Sequence, residues 1–405
     1  MPDVYSQSFL VGKPAYAFAM HIFFSVGEPS GDLHGANLIR ELKQREPGVR
    51  CVGFGGPKMR AAGVELHEDL TKLAVMWFLR VLLNLHKFWF LYQRAKAYFR
   101  DQRPDAVVLI DYPGFNWWIA RAAKRHNIPV FYYGAPQMWA WAPWRIHKMR
   151  RLIDHTLCKL PFEARWYNEQ GCPATFVGHP YYDEMERQQL DDDFVRTIGA
   201  EEGRLITLLP GSRTQEVLNN LPWILKAAGR VADKVPDARF AVASFNEKQA
   251  TIAREMVHAA GIDADVFVSR TPELIHLAHS CIACSGSVSL ELLHHKRPTV
   301  IIYHVSRLAA RIATLFIRVK HITLVNLLAD PQPFLTGRFQ FNPTFASAQR
   351  QPFPEYPSCE DPSQSLAAHV IEWLTDHQKY QAKVTQLAKL RAEFGHSGAS
   401  RTAAD

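Results

Sequence analysis

HIFFSVGEPSGDLHGANLIRELKQR, residues 21–45, decides the fold. Ile22–Val26 is a short apolar run. It stops at Gly27-Glu28-Pro29-Ser30-Gly31, and Asp32–Arg45 then carries apolar residues at helical spacing. A buried strand, a glycine-punctuated turn and an amphipathic helix form the repeating unit of a parallel α/β sheet. The pattern recurs: Ala106–Ile110 is followed by helical spacing over Phe115–His126 and a strand at Pro129–Tyr133. Leu205–Leu209, Ala238–Ala243, Asp265–Val268, Cys281–Cys284 and Thr299–Ile302 also read as strands, with helical stretches between most of them. The expectation is an α/β protein with parallel sheets built from βαβ units.

A chain of 405 residues has room for two or three domains. The least hydrophobic stretch, Asp183–Arg204, marks a boundary. We assign an N-terminal α/β domain to residues 1–190, a second to 191–380 and a helical tail to 381–405. Asp330–Pro362 holds seven Pro with little periodicity and reads as an irregular excursion. Gly53–Lys58 fits neither a Walker A loop nor a dinucleotide fingerprint and reads as a structural turn.

Composition excludes a disordered or collagenous chain, at 47% hydrophobic and 21% charged. The net charge of +8 suits acidic partners. It is concentrated: Leu73–Arg151 carries thirteen Lys or Arg against three Asp and no Glu, and seven of the ten Trp. Within it, Leu73–Tyr92 is nearly all apolar, then gives way to Arg94, Lys96, Arg100 and Arg103. It is too interrupted to span a bilayer. It is either a core helix or a surface that lies on anionic lipid, with Met76, Trp77, Phe78, Val81, Leu82 and Leu85 as docking residues. A nucleic-acid patch would explain the charge but not the aliphatic residues, so no nucleic acid is expected. The six cysteines mostly sit in apolar runs, as buried thiols of a reducing compartment do. The Cys281–Cys284 pair lacks a second pair for zinc, so no metal is expected. The first twenty residues lack a basic region followed by an uninterrupted apolar core, so no signal peptide is expected. Residues 1–19 are read as an irregular extension or as preceding a true start at Met20.

In open α/β sheets, ligands bind beyond the carboxyl ends of strands. Four turns there carry chemistry. After the first strand, Glu28, Ser30 and Gly31 form either a substrate loop or a capped connection, with Ser30 or Asp32 capping the helix. After Ala106–Ile110 comes Asp111, placed as a general base or as a helix cap, with Asn116 one turn on. After Leu205–Leu209, Gly211 admits an anion close to the backbone and Arg213 offers a planar cation. After Cys284, the small residues Ser285, Gly286 and Ser287 open a helix whose N–H groups can receive a diphosphate, with Glu291 one turn further within reach of a ribose.

Seven segments occur in order: SVGEPSGDLHG (25–35), IDYPGFN (110–116), QMWAW (137–141), LPFE (160–163), VGHP (177–180), LLPGSRTQE (208–216) and SGSVSLE (285–291). Together they resemble the lipid-A-disaccharide synthases. The resemblance implies a GT-B glycosyltransferase with two Rossmann-like domains. It implies transfer of 2,3-diacylglucosamine from UDP-2,3-diacylglucosamine to the 6-hydroxyl of 2,3-diacylglucosamine 1-phosphate, with inversion. It implies no cofactor or metal, a peripheral place on the cytoplasmic face of the inner membrane, and room for a homodimer. Asp111 takes the place of the catalytic aspartate, with Glu28 as second candidate. Arg213, Ser285, Gly286, Ser287, Glu291, Asn326, Tyr303 and Lys320 fall at UDP-sugar positions, and Ser30, Gly31, Asn116 and Trp139 at the substrate cleft. The chain departs from the pattern at Arg80, Gly114, His304, Val325 and Asp330. Two other classes fit parts of the chain. A UDP-sugar epimerase or a transferase with a soluble acceptor would not need the apolar segment. A membrane-docking protein without activity would not need Glu28, Asp111 and Arg213.

Overall fold

The computed structural model describes residues 20–74 and 85–405. Two parallel sheets organise the chain. The first has strands β1 (His21–Val26), β2 (Arg50–Gly55), β3 (Glu65–Asp69), β4 (Ala106–Ile110), β5 (Val130–Tyr133), β6 (His155–Cys158) and β7 (Ala174–Phe176), in the order β3-β2-β1-β4-β5-β6-β7. The second has β8 (Arg204–Leu209), β9 (Ala238–Ser244), β10 (Asp265–Val268), β11 (Ser280–Cys284), β12 (Thr299–His304) and β13 (Glu355–Ser358), in the order β10-β9-β8-β11-β12-β13. Each sheet reverses its winding once, between β1 and β4 and between β8 and β11. These reversals are the crevices where α/β sheets take ligands.

The described residues divide into two compact units, those up to Gly134 with 151–156 and 403–405, and residues 135–150 with 157–402. In the second unit the side chains of each strand alternate between two cores. Ile206, Leu208, Val242, Ile282 and Ile302 pack with the helices Thr214–Ala232 and Ser363–Thr375. Leu205, Leu209, Ala243, Cys281 and Ile301 pack on the other face. Both faces being covered explains why the middles of these strands are mostly apolar. In the first unit Phe23 sits edge-on to Phe54 and Phe99, at 5.4 and 4.9 Å between ring centres.

Several expectations need correction. Gly53–Gly55 lies inside β2, and only Gly56 and Pro57 make the turn into the helix Pro57–Ala61. A Cβ on Gly53 would stand 2.1 Å from the Phe24 carbonyl oxygen, so the glycine there serves strand contact. Asp330–Pro362 is not irregular throughout: it contains the helix Phe345–Gln349 and strand β13, whose Pro357 sits at the sheet edge. The first helix begins at Pro29, earlier than expected, and neither Ser30 nor Asp32 caps it. The Asp32 carboxylate instead accepts the N–H groups of Gly56, Lys58 and Met59 at 2.9–3.0 Å, closing the start of the helix Pro57–Ala61. Cys281 and Cys284 are buried in β11, and burial pushes both thiols up to about 12.

Candidate functional site

In the first unit, chemistry gathers at the ends of β1 and β4. Asp111 and Tyr112 are consecutive residues with positive φ, 47° and 44°. Side chains with a Cβ adopt this region at a cost of roughly 1–2 kcal/mol each, and it persists where the surroundings enforce it. Here the enforcement is visible. Asn116, wholly buried, donates to the carbonyls of Asp111 at 2.8 Å, Ser25 at 3.2 Å and Ile110 at 3.3 Å, and its own amide oxygen accepts the Ser25 hydroxyl at 2.7 Å. Tyr132 donates to the Asp111 carbonyl from the other side, at 2.7 Å. Asn116 therefore acts by holding the β4 turn rather than by facing a ligand.

The two glycines of the β1 turn are required by what lies over them. A Cβ on Gly27 would come within 2.5 Å of the Tyr112 ring, and one on Gly31 within 2.9 Å of Val26 and 3.4 Å of Asp111 Oδ2. Glu28 and Ser30 are exposed at this turn. Burial and then the Glu28 charge push the Tyr112 phenol up; burial and then Asp111 do the same to Tyr132. Both carboxylates thus act on one small region.

Beside it opens a pocket of about 570 Å³ lined by Leu85, Phe88, Trp89, Tyr92, Tyr112, Gly114, Phe115 and Trp118. In the helix Leu85–Gln102, Phe88, Leu91, Tyr92, Ala95 and Phe99 turn inward, while Leu85, Trp89 and Phe90 remain exposed. Of the docking residues named from the sequence, Leu85 lines this pocket; Met76, Trp77, Phe78, Val81 and Leu82 lie outside the described residues.

In the second unit a pocket of about 440 Å³ lies beyond β8 and β11, lined by Arg213, Ser285, Gly286, Ser287 and Glu291 together with Tyr181, Ser212, Glu216 and Phe245 among others. Glu216 Oε2 accepts the N–H groups of Ser212 and Arg213 at 3.0 and 3.1 Å and starts the helix Thr214–Ala232. The Arg213 guanidinium contacts Glu216 Oε1 at 3.0 Å and is otherwise open to solvent. Glu291 is buried. Its Oε2 accepts the Tyr181 hydroxyl at 3.0 Å, and its Oε1 has no hydrogen-bond partner among the described residues. Burial raises its carboxyl to about 7, the Tyr181 bond opposing and Glu273 adding to the rise.

Of the remaining sequence candidates, one stands beside the second pocket and the others are held in the framework or core. Tyr303 is near Arg213 and Glu216, whose charges act on its phenol after burial. Asn326 is buried and bonded to Phe353 and Glu355, and Lys320 pairs with Asp330 at 3.2 Å. Glu355 also accepts the N–H groups of Ile322 and Thr323 and contacts His321, so Asn326 and Lys320 belong to a framework that fixes the 320–330 loop. Trp139 is 1% exposed and donates to Glu163 at 3.1 Å; it packs in a core.

Sequence reasoning did not single out Asn220. Its amide donates to the Pro210 carbonyl and to Cys284 Sγ, both at 3.2 Å, and accepts the His304 N–H at 2.9 Å, so one side chain joins the ends of β8, β11 and β12. Gln249 was also missed: it donates to the Ser212 carbonyl at 2.7 Å. Pro210 lies ten residues from Asn220, but the other partners lie 37–84 residues away, where no local spacing signals them. Among the described residues no group of His, Cys, Asp or Glu is arranged to hold a metal, and no helix is long and apolar enough to cross a membrane.

Comparison with known proteins bears on the family and the fold. The family model described as lipid-A-disaccharide synthetase matches residues 22–351. The chain is 32% identical over 384 residues to the lipid-A-disaccharide synthase of Geobacter sulfurreducens, covering 95% of each. It is 33% identical over 385 residues to that of Syntrophus aciditrophicus, covering 95% of this chain and 96% of the relative. Among solved structures, the UDP-GlcNAc 2-epimerase of Neisseria meningitidis bound to UDP-GlcNAc superposes with a TM-score of 0.61 at 12% identity, over 94% of this chain and 98% of that one. The calicheamicin glycosyltransferase CalG4 superposes with a TM-score of 0.56 at 13% identity, over 96% and 97%. At such identities the structural likeness speaks for the two-sheet GT-B fold alone, whereas the sequence relatives go further: the chain belongs to the lipid-A-disaccharide synthase family of UDP-sugar-dependent glycosyltransferases.

Proposed function

We propose that the chain joins two acylated glucosamines. It transfers 2,3-diacylglucosamine from UDP-2,3-diacylglucosamine to the 6-hydroxyl of 2,3-diacylglucosamine 1-phosphate, giving a β(1→6) disaccharide 1-phosphate and UDP. The observation that carries this reading is the apolar pocket of about 570 Å³ whose wall begins at Tyr112, next to Asp111. A carboxylate beside an acyl-sized apolar slot suits a lipid-bearing alcohol better than a soluble sugar.

The residues then take separate parts. In the first unit, Asp111, or Glu28 in its place, accepts the proton of the acceptor hydroxyl as its oxygen bonds to the anomeric carbon. The bond from that carbon to the UDP oxygen breaks on the opposite side, which inverts the configuration. In the second unit, Arg213 and the N–H groups around Ser285–Ser287 receive the charge that develops on the departing diphosphate. The unpartnered Glu291 Oε1 accepts a ribose hydroxyl. No metal or cofactor enters these steps. A peripheral site of action on the cytoplasmic face of the inner membrane follows from the substrates, and the Leu85, Trp89 and Phe90 face fits it.

Product analysis tests the proposal. Incubation of donor and acceptor should give a disaccharide 1-phosphate by mass spectrometry, with a β anomeric coupling in its proton spectrum. An α-linked product would contradict the single displacement, and absence of a joined product would contradict the function.

A further inference from the structure

The helix Arg307–Phe316 in the second unit is inside out. Ala310 is its only buried residue, while Leu308, Ile312, Leu315 and Phe316 are 43–69% exposed. Positions 308, 312, 315 and 316 follow one another at helical spacing and make a single stripe. A folded chain gains by turning such residues inward, so a stripe facing water points to a partner.

The stripe is not alone. The Phe316 ring lies 6.1 Å from that of Trp144, and the Arg318 N–H donates to the Ala140 carbonyl at 2.7 Å, which ties the end of the helix to the segment carrying Trp141 and Trp144. Both tryptophans are about half exposed, and the Arg145 guanidinium lies 4.7 Å from the Trp141 ring. Around this apolar face the charge has one sign. Residues 303–329 contain Arg307, Arg311, Arg318 and Lys320 and no Asp or Glu; residues 135–150 contain Arg145, Lys148 and Arg150 and none either. Acids appear only at its borders among the described ion pairs: Glu360 lies 3.7 Å from Arg307 and Asp330 lies 3.2 Å from Lys320.

We propose that the Arg307–Phe316 stripe, with Trp141 and Trp144 beside it, is a docking surface for an anionic lipid bilayer. Leu308, Ile312, Leu315 and Phe316 enter the acyl boundary, the two indoles sit at headgroup level, and the arginines meet lipid phosphates. The charge argues against a second copy of the chain as the occupant. A two-fold contact through this face would bring the same arginines together. The proposal does not depend on the reaction proposed above, because it is read with vesicles that hold no substrate.

The experiment is flotation of the full chain with phosphatidylglycerol–phosphatidylethanolamine vesicles and with phosphatidylcholine vesicles. The triple variant Leu308→Ser, Ile312→Ser, Leu315→Ser should bind the anionic vesicles roughly tenfold or more weakly than the unchanged chain, from the apolar area it no longer buries. Its UDP affinity should be unchanged, which also shows that it folds. A second measurement isolates the helix from the rest of the chain. A polarity-sensitive dye on Leu308→Cys, in a Cys359→Ser background, should shift to the blue with anionic vesicles and not with phosphatidylcholine. Equal vesicle binding by the triple variant, or dye emission that ignores lipid, would overturn the proposal. So would a dye shift that follows protein concentration without lipid, which would assign the face to a second copy.

Discussion

The Asp111 carboxylate lies over Gly31: a methyl group at that glycine would stand 3.4 Å from Asp111 Oδ2. The carboxylate is thus held at the crevice between β1 and β4 by a backbone in an uncommon conformation and by two side chains that grip its carbonyl. Asp111→Asn keeps these bonds and removes only the base. We expect kcat to fall by about 10²–10⁴ with UDP affinity unchanged. Glu28→Gln, measured beside it, identifies the base: the variant with the larger loss in kcat and the flatter pH profile carries it.

Gly114 opens onto the apolar pocket, and among the described residues nothing lies within 4 Å of a Cβ built there. Gly114→Phe should therefore fold normally and fill part of the pocket. Steady-state kinetics with acceptors of differing chain length should show KM rising for long chains by about tenfold and little for short ones. A uniform change across lengths would place the acyl chain elsewhere.

Glu291 links the second pocket to pH. Burial raises its carboxyl from 4.5 to about 7, so between these values the folded chain holds a proton that the unfolded chain has released. Stability from this group is fully present below about pH 4.5 and is lost as the pH rises towards 7, by up to roughly 3 kcal/mol. Denaturant melts of Glu291→Gln without nucleotide should lack that decline and exceed the unchanged chain at pH 8. UDP affinity should behave oppositely: it should strengthen from pH 6 to 8 more in the unchanged chain than in the variant, because a ribose hydroxyl bonds best to the ionised carboxylate.

Asn220 is the structural keystone of the same pocket. Asn220→Ala removes the bonds to Pro210, Cys284 and His304 and leaves buried groups unpaired. We expect a loss of about 2–3 kcal/mol in denaturant melts and a weaker Kd for UDP, with the donor's acyl chains having no influence on the size of the effect.

Much of this was legible locally. The strand Ala106–Ile110 coincides with its apolar run, and the loops after the strands could be found because parallel strands announce themselves by unbroken hydrophobicity. Arg213, the Ser285–Ser287 turn and Glu291 come together in one pocket because each follows a strand at the β8–β11 crevice. What sequence could not show are devices made of distant partners. Asn220 and Gln249 look like ordinary helix residues until the strand ends they hold are placed beside them. β13 was hidden by its proline, and Asp32 looked like a cap for its own helix because its real partners, Gly56–Met59, are a βα unit away. The outward face of Arg307–Phe316 was hidden too, since an amphipathic pattern does not say which side is buried.

The most direct test of the central claim is UDP release by the purified chain with the diacylated UDP-glucosamine donor and the diacylated glucosamine 1-phosphate acceptor, each omitted in turn. Release that requires both substrates, in step with formation of the disaccharide phosphate, is the predicted result. UDP appearing at the same rate without acceptor would mean that water or the donor's own atoms displace it, and would contradict the transferase account.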